Sequence, residues 1–256
     1  MRTLIIVPCY NEAARLQPQV FLNFTKEHPH VRFLFINDGS SDNTAGILTN
    51  LAHTNPECII VCHLACNQGK AEAVRQGFIR GFAMAPDIIG FLDADLASPL
   101  ETILELETGI SVESKDIAMA ARVALLGRNI ERNALRHYAG RVFATAASMI
   151  LGLHVYDTQC GAKLFRVNDR LKKVFAAPFT VKWIFDVEIL ARFLITEKDG
   201  APKVRNICME YPMRTWIDKK GSKLRLQDFL ISGLDLLKIF MLMRRKEWAG
   251  APVPTP

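Results

Sequence analysis

The chain has 256 residues, half of them hydrophobic and 23% charged, with a net charge of +6. This length and composition fit one α/β domain with an appendage, and they exclude a disordered protein and a pair of independent domains. The positive charge favours an anionic partner, and composition leaves nucleic acid, phosphate ligands and an acidic membrane surface open.

The N-terminus runs directly into an apolar, strand-like segment, Thr3–Val7. That leaves no room for a signal peptide, so we expect the chain to start in the cytosol. None of the six cysteines shows Cys-x-x-Cys spacing. This favours reduced, mostly buried thiols over a disulfide or zinc framework.

Apolar runs rich in β-branched residues alternate with segments of helical periodicity in the first half of the chain. The predicted strands cover residues 3–7, 32–36, 58–64, 88–92 and 116–120. The predicted helices run from residue 11 or 12 to 28, from 42–44 to 53, from 69 to 85, and from the capping sequence Ser98-Pro99-Leu100-Glu101. The alternation predicts an α/β fold with a parallel sheet covered by helices on both faces, and ligands bind such sheets beyond the carboxyl ends of the strands.

After about residue 122 the chain becomes basic and apolar. We predict helices over 142–153 and 185–196, a strand over 204–211 and a loop over 218–223. The stretch 226–248 is predicted as an amphipathic C-terminal helix and 249–256 as a disordered tail. The apolar helical runs are shorter than the ~20 uninterrupted residues that span a bilayer, so we expect them to lie in a membrane interface, with core packing as the alternative.

Asp93 and Asp95 directly follow the buried run 88–92. Two carboxylates at the end of a buried strand provide the hard oxygen ligands that a divalent cation prefers, and nucleoside diphosphates commonly bind through such a cation. An acidic residue after a strand also begins many ordinary loops. The pair alone therefore leaves both interpretations open.

Three further polar loops follow predicted strands: Pro8-Cys9-Tyr10-Asn11-Glu12, Asn37-Asp38-Gly39-Ser40-Ser41-Asp42 and Asn67-Gln68-Gly69-Lys70. Because no glycine precedes Gly39, the glycine-rich turn of a dinucleotide-binding Rossmann unit is excluded. The first two loops offer acidic and amide groups for a base and a ribose. The third places a lysine at a helix N-terminus, which suits an anion.

Together with Asp93-Ala94-Asp95, these loops resemble the family-two glycosyltransferases of the GT-A fold. The resemblance covers about residues 3–225. Within this family, the series of motifs is similar to that of the dolichyl-phosphate glucosyl- and mannosyltransferases. It continues through Arg122, the segments 157–165 and 183–188, and Gly221-Ser222-Lys223-Leu224. Asp157-Thr158-Gln159-Cys160-Gly161 and the segment 183–188 resemble the glucosyl branch more closely.

The resemblance implies a GT-A domain over residues 1–225, with a nucleotide-sugar-binding half at 1–121 and an acceptor-binding half at 122–225. It implies metal-dependent, inverting transfer of a hexose to a polyprenyl (dolichyl) phosphate, with UDP-glucose as donor and GDP-mannose as the alternative. The implied donor-binding residues are Pro8, Tyr10, Asn11, Glu12, Asp38, Asp42, Asn67, Gly69, Lys70, Asp93, Ala94, Asp95, Lys219, Lys220 and Lys223.

The remaining implied roles concern the metal and the acceptor. Asp93 and Asp95 would hold Mg²⁺ or Mn²⁺, with Asp95 as the direct ligand, and Arg122 and Arg136 would grip the acceptor phosphate. Of Asp186 and Glu188, whose spacing points them to different helix faces, we expect Asp186 to face the site as a catalytic residue.

Three departures from the family pattern modify these expectations. Ala97 stands where mannosyl relatives place a metal-contacting glutamine, and Gly140 stands where a serine contacts the acceptor phosphate. The chain also shows no transmembrane anchor, so we expect a cytoplasmic protein bound peripherally to the cytosolic face of a membrane. Nucleic acid is not an expected partner, because the basic residues lack an aromatic-interleaved stripe.

Overall fold

The computed structural model describes residues 1–131, 134–197, 200–217 and 226–245. Its strands are β1 (Thr3–Cys9), β2 (Val31–Asn37), β3 (Ile59–His63), β4 (Ile88–Leu92), β5 (Ile117–Ala121), β6 (Asn129–Glu131), β7 (Ala162–Arg166), β8 (Cys208–Pro212) and β9 (Thr215–Ile217). Its helices are α1 (Pro18–Glu27), α2 (Thr44–Thr54), α3 (Lys70–Ala83), α4 (Glu101–Ser111), α5 (Ala134–Leu151), α6 (Asp169–Ala176), α7 (Phe185–Thr196), α8 (Ala201–Ile207) and α9 (Leu226–Arg245).

Seven strands form one mostly parallel sheet in the order β3-β2-β1-β4-β7-β5-β8. β1 pairs in parallel with β2, from Thr3 opposite Val31 to Cys9 opposite Asn37. β7 runs antiparallel to its neighbours β4 and β5. The carboxyl ends of β1, β2, β4 and β5 therefore lie at the same edge of the sheet.

The core has two layers, one on each face of this sheet. One layer packs side chains of α1, α2 and α4 against the sheet, and the other packs α3, α5, α6 and α7. The central strands are buried on both faces, which explains their continuous apolar sequences. The predicted α/β fold with helices on both faces is confirmed.

Several predicted boundaries were wrong. The first helix begins at Pro18 instead of residue 11 or 12, because Asn11 has a left-handed backbone with φ of 53° and the chain turns through Glu12 to Arg15 first. The Ser98 side chain does not cap α4, which begins at Glu101. The predicted strand 204–211 begins as α8 and becomes strand only at Cys208.

The second half of the chain adds helices α5 to α9 and an exposed apolar surface. α5 and α7 both pack against α9. Large apolar side chains of α5 and α9 remain exposed, among them Val142 and Met149 on α5 and Leu234 and Leu237 on α9. Of the helices in the described ranges, none is long and apolar enough to cross a membrane. The predicted tail, 249–256, lies outside the described residues.

Candidate active site

A cavity of about 630 Å³ opens at the carboxyl edge of the sheet. The ends of β1, β2, β4 and β5 supply its floor, and α5, α7 and the residues before α7 supply its opposite wall. The predicted site residues that line it are Pro8, Tyr10, Glu12, Asp38, Asn67, Gly69, Lys70, Asp93, Ala94, Asp95, Arg122 and Asp186. The fold therefore brings these residues together at one cavity.

Asp93 and Asp95 follow β4 and stand beside two cationic groups. Asp93 Oδ1 lies 2.5 Å from Lys70 Nζ, and Asp95 Oδ2 lies 4.0 Å from Arg15 Nη1. Burial lowers the pKa of Lys70, but the carboxylates of Asp93 and Asp186 outweigh that effect, so its pKa is raised. Lys70 is thus a fixed positive charge at the N-terminus of α3.

Gly161 provides the close packing that places Asp93. Its carbonyl oxygen accepts a hydrogen bond from the Asp93 backbone N–H at 3.1 Å. A Cβ at position 161 would lie 2.2 Å from Asp93 Oδ2. Only glycine fits against the carboxylate in this position.

The carboxylate pair suits a divalent cation. Mg²⁺ and Mn²⁺ prefer oxygen ligands, and Mg²⁺ commonly binds one or two carboxylates together with waters and substrate phosphates. Within the described ranges, no group of three or more His, Cys, Asp or Glu residues could hold a metal. Position 97, also in the cavity wall, is alanine and offers no side-chain ligand. The residues present therefore fit a cation that shares its coordination with a diphosphate and water.

Asp38 faces the cavity but its carboxylate is already occupied. It is 2% exposed, and it accepts hydrogen bonds from the backbone N–H groups of Gln68 and Gly69, each at 2.8 Å. Gly69 has a φ of 94°, which an L-residue rarely adopts. Asp38 thus fixes the loop that positions Lys70 at the cavity.

Asn11 and Asp42 are not part of the cavity wall. The Asn11 side-chain oxygen accepts from Ser41 N at 2.9 Å. Asp42 accepts from Ala13 N at 3.1 Å and from Thr44 N at 3.0 Å. Both side chains tie the loop after β1 to the loop after β2, which makes them supports of the site rather than members of it.

Glu12 and Arg15 form a pair in the same wall. Arg15 Nε donates to Glu12 Oε2 at 2.8 Å, and the Glu12 backbone N–H donates to Thr44 Oγ1 at 2.8 Å. Glu12 therefore directs the Arg15 guanidinium towards Asp95. Arg15 was not predicted as a site residue.

Arg122 follows β5 and is locked to Asp157. Its Nε and Nη2 donate to the two carboxylate oxygens of Asp157 at 2.6 and 2.8 Å, and its guanidinium lies 5.2 Å from the centre of the Trp216 ring. Burial lowers the pKa of Arg122, but the Asp157 carboxylate raises it by more. Arg122 is a permanent cation with a fixed orientation.

Asp186 and Glu188 point in different directions, as the spacing predicted. Asp186 lines the cavity, and its Oδ1 accepts a hydrogen bond from buried Lys163 Nζ at 2.5 Å. Glu188 does not line it: its carboxylate accepts from Thr180 N at 2.9 Å and pairs with Arg192. Of the two carboxylates, Asp186 is thus the one that faces the cavity, and its catalytic role stays a prediction.

Other residues of the opposite wall were missed by the sequence argument. Arg141, Tyr156, Lys182, Trp183 and Trp216 all line the cavity. Arg141 belongs to the run of arginines between 122 and 141, so charge clustering was the available signal. Lys219, Lys220 and Lys223, and the side chain of Arg136, lie outside the described part of the structure.

Proteins of similar sequence include enzymes that glucosylate dolichyl phosphate. The chain is 29% identical over 260 residues to a dolichyl-phosphate beta-glucosyltransferase of Trichomonas vaginalis, covering 96% of this chain and 73% of the relative. It is 30% identical over 258 residues to the dolichyl-phosphate beta-glucosyltransferase of Saccharomyces cerevisiae, covering 94% and 73%.

The fold is also found among solved structures. Glucosyl-3-phosphoglycerate synthase from Mycobacterium tuberculosis, crystallised with Mn²⁺ and UDP-glucose, superposes with a TM-score of 0.65 at 16% identity, covering 94% of this chain and 78% of that one. The profile described as Glycosyl transferase family 2 matches residues 4–170. This chain belongs to glycosyl transferase family 2.

Proposed function

We propose that this glycosyltransferase moves glucose from UDP-glucose to a polyprenyl phosphate in a metal-dependent, inverting reaction. One observation carries the proposal: a single cavity holds two groups of side chains, Asp93 and Asp95 with Lys70, and Arg122 with Arg141. A nucleoside diphosphate with its cation suits the first group. A phosphate acceptor suits the second.

The donor end combines carboxylates, a lysine and the polar loops after β1, β2 and β3. Asp93 and Asp95 would hold Mg²⁺ or Mn²⁺, which would neutralise charge developing on the departing nucleoside diphosphate. The structurally similar Mycobacterium tuberculosis enzyme binds Mn²⁺ with UDP-glucose, which supports a divalent cation here. Lys70, at the start of α3, would add its charge and the N-terminal helix dipole to the same task.

The acceptor end explains why a phosphate acceptor is favoured over a sugar or protein hydroxyl. A phosphate dianion is already a nucleophile, so the enzyme needs to position it rather than deprotonate it. Asp186 is the carboxylate that could have acted as base for a hydroxyl, but Lys163 occupies its Oδ1. In-line attack of the phosphate at the anomeric carbon would convert an α-linked donor sugar into a β-linked lipid product.

The test is a transfer assay with purified protein. The protein is incubated with UDP-glucose or GDP-mannose, Mg²⁺ or Mn²⁺, and a polyprenyl phosphate, and the lipid is analysed by mass. We expect a polyprenyl phosphate hexose from UDP-glucose that disappears with EDTA, and no product when the unphosphorylated polyprenol replaces the acceptor. No glycolipid from either donor would contradict the function, and faster transfer from GDP-mannose would reverse the donor assignment.

We also propose that the enzyme reaches its lipid by binding peripherally to the cytosolic face of a membrane. The exposed apolar residues of α5 and α9 include Leu234 and Leu237, and α9 ends in Arg244 and Arg245. Such an apolar face beside basic residues suits anionic lipid headgroups. Phe143 and Ser232 come from the same helices and line the cavity, so the lipid would enter from this side.

Vesicle binding tests this second proposal. We expect sedimentation with anionic vesicles to weaken in Leu237→Glu, whose wild-type side chain is 56% exposed on α9. The matched control is Val112→Glu, which changes an exposed apolar residue just after α4, on the other face of the sheet. Equal loss of binding in both variants, or in neither, would rule out this surface.

A further inference from the structure

Arg141 on α5 has a guanidinium that is held at one edge and uncommitted at the other. Its Nη1 donates to the Tyr156 carbonyl oxygen at 2.9 Å, and the guanidinium stacks over the Tyr156 ring 3.8 Å from its centre. Its Nε and Nη2 donate to no residue in the described ranges. The side chain lines the cavity.

Arg122 has the opposite arrangement. Asp157 uses the two nitrogens that would make a fork, at 2.6 and 2.8 Å. An arginine paired in this way contributes charge, but its side-on pair of donors, Nε with Nη2, is no longer open to a phosphate. Among the described arginines that line the cavity, Arg141 is therefore the one whose Nε and Nη2 remain open side by side.

One short segment sets the positions of both arginines. Tyr156 holds Arg141 and its neighbour Asp157 holds Arg122. The backbone N–H groups of these two residues donate to the two carboxylate oxygens of Glu210, at 2.7 and 2.9 Å. Glu210 lies on β8, which pairs with β5, so the segment is attached to the sheet.

We propose that Arg141 is a ligand of the acceptor phosphate, with Tyr156 and Glu210 as its positioning residues. The stack on Tyr156 fixes the plane of the guanidinium, so little side-chain freedom is lost when phosphate binds. Phe143 and Ala144, which follow on the same helix and line the cavity, provide an apolar path for the lipid chain beside this charge. This inference rests on the proposed transfer to a polyprenyl phosphate.

Steady-state kinetics with a short polyprenyl phosphate test it. In Arg141→Lys we expect the KM for the acceptor to rise at least tenfold, about 1.4 kcal/mol, because lysine keeps the charge but loses both the fork and the stack. The KM for the donor should stay within twofold, since the residues proposed to bind the donor diphosphate, Asp93, Asp95 and Lys70, do not include Arg141. Tyr156→Phe, which keeps the ring and the carbonyl, should retain the wild-type acceptor KM, whereas Tyr156→Ala should raise it.

One control and one further variant separate positioning from a general loss of structure. Arg80→Lys changes an exposed arginine of α3 that does not line the cavity, and it should alter neither KM. Glu210→Gln, which leaves one of the two N–H groups without its carboxylate partner, should raise the acceptor KM while the donor KM remains constant.

The possible outcomes are distinguishable. Transfer by the wild-type enzyme together with an unchanged acceptor KM in Arg141→Lys would overturn the assignment of Arg141 and leave the proposed function intact. A parallel rise of both KM values would also overturn it, since that would place Arg141 at the donor or in the fold alone. Failure of the wild-type enzyme to glycosylate any polyprenyl phosphate would overturn the function and this inference together.

Discussion

Gly161→Ala is the substitution that most directly tests whether the position of Asp93 matters for transfer. The added Cβ would lie 2.2 Å from Asp93 Oδ2, whereas real Cβ contacts essentially never fall below 3.0 Å. The carboxylate must therefore move away by about 0.8 Å or the loop before β7 must shift. A change of this size falls on the carboxylate that we propose as a metal ligand.

The expected cost is large for catalysis and small for stability. A misplacement of about 1 Å at a reacting centre can reduce the rate about 100-fold, so we expect kcat to fall by roughly that factor. The ion pair of Asp93 with Lys70 is a third or more exposed on both sides, and such a pair contributes at most about 1 kcal/mol to the free energy of unfolding. Replacing glycine with alanine also restricts the unfolded chain, which offsets part of that loss.

The assay compares hexose transfer and urea unfolding in Gly161→Ala and in Gly233→Ala. Gly233 lies on α9, and a Cβ added there would meet no atom within 4 Å, so this control should keep full activity and gain up to about 1 kcal/mol from helix propensity. If Gly161→Ala transfers hexose at the wild-type rate, the close fit against Asp93 has no catalytic importance and the metal assignment loses its structural basis.

Three further substitutions test other contacts of the site and the core. Asp95→Ala should reduce kcat by at least about 100-fold at saturating metal, because the proposed metal ligand at the leaving group is lost. The midpoint of thermal unfolding should stay unchanged, and near-normal turnover would remove Asp95 from the site. Arg122→Lys should weaken acceptor use with nucleotide affinity unchanged by calorimetry, because lysine cannot pair with both Asp157 oxygens; loss of nucleotide binding would contradict this. Glu188→Gln should lower the free energy of unfolding by about 3 kcal/mol in urea, because it removes the negative charge that pairs with the buried Arg192 guanidinium. A change under about 1 kcal/mol would refute this.

The sheet could be predicted from the sequence because its central strands are buried on both faces. Such strands are continuous apolar runs, and the predicted run 88–92 coincides with β4. Parallel strands place their carboxyl ends together, so the loops carrying Asp38 and Asp93 were expected at one edge and are found there. Arg122, expected only as an acceptor residue, also follows a strand that ends at this edge. The position of the cavity follows from the parallel arrangement of these strands. That arrangement was predicted from the alternation of apolar runs with segments of helical periodicity.

Features that depend on contacts distant in sequence could not be predicted in this way. The turn at Asn11 exists because its side chain bonds Ser41, 30 positions away, and this delays α1 to Pro18. The strand β7 was missed because Lys163 and Arg166 interrupt its apolar pattern and because it inserts antiparallel between β4 and β5. Arg141 was seen only as one of several basic residues, since its role depends on the Tyr156 ring folding against it.

The carboxylates at this edge show where sequence reasoning reaches its limit. Asp38, Asp42, Asp93 and Asp95 all follow strands or their loops, so their sequence contexts are alike. In the fold, Asp38 and Asp42 accept backbone N–H hydrogen bonds with both of their oxygens. A carboxylate committed in this way stabilises loop geometry and has little capacity left for a cation. Asp93 instead faces a lysine. Asp95 is intermediate: its Oδ1 accepts from the Ala97 backbone N–H at 3.1 Å, and its Oδ2 lies 4.0 Å from Arg15. The distinction between a supporting and a ligand-binding carboxylate therefore lies in which lone pairs the backbone has already used, and only the folded structure contains that information.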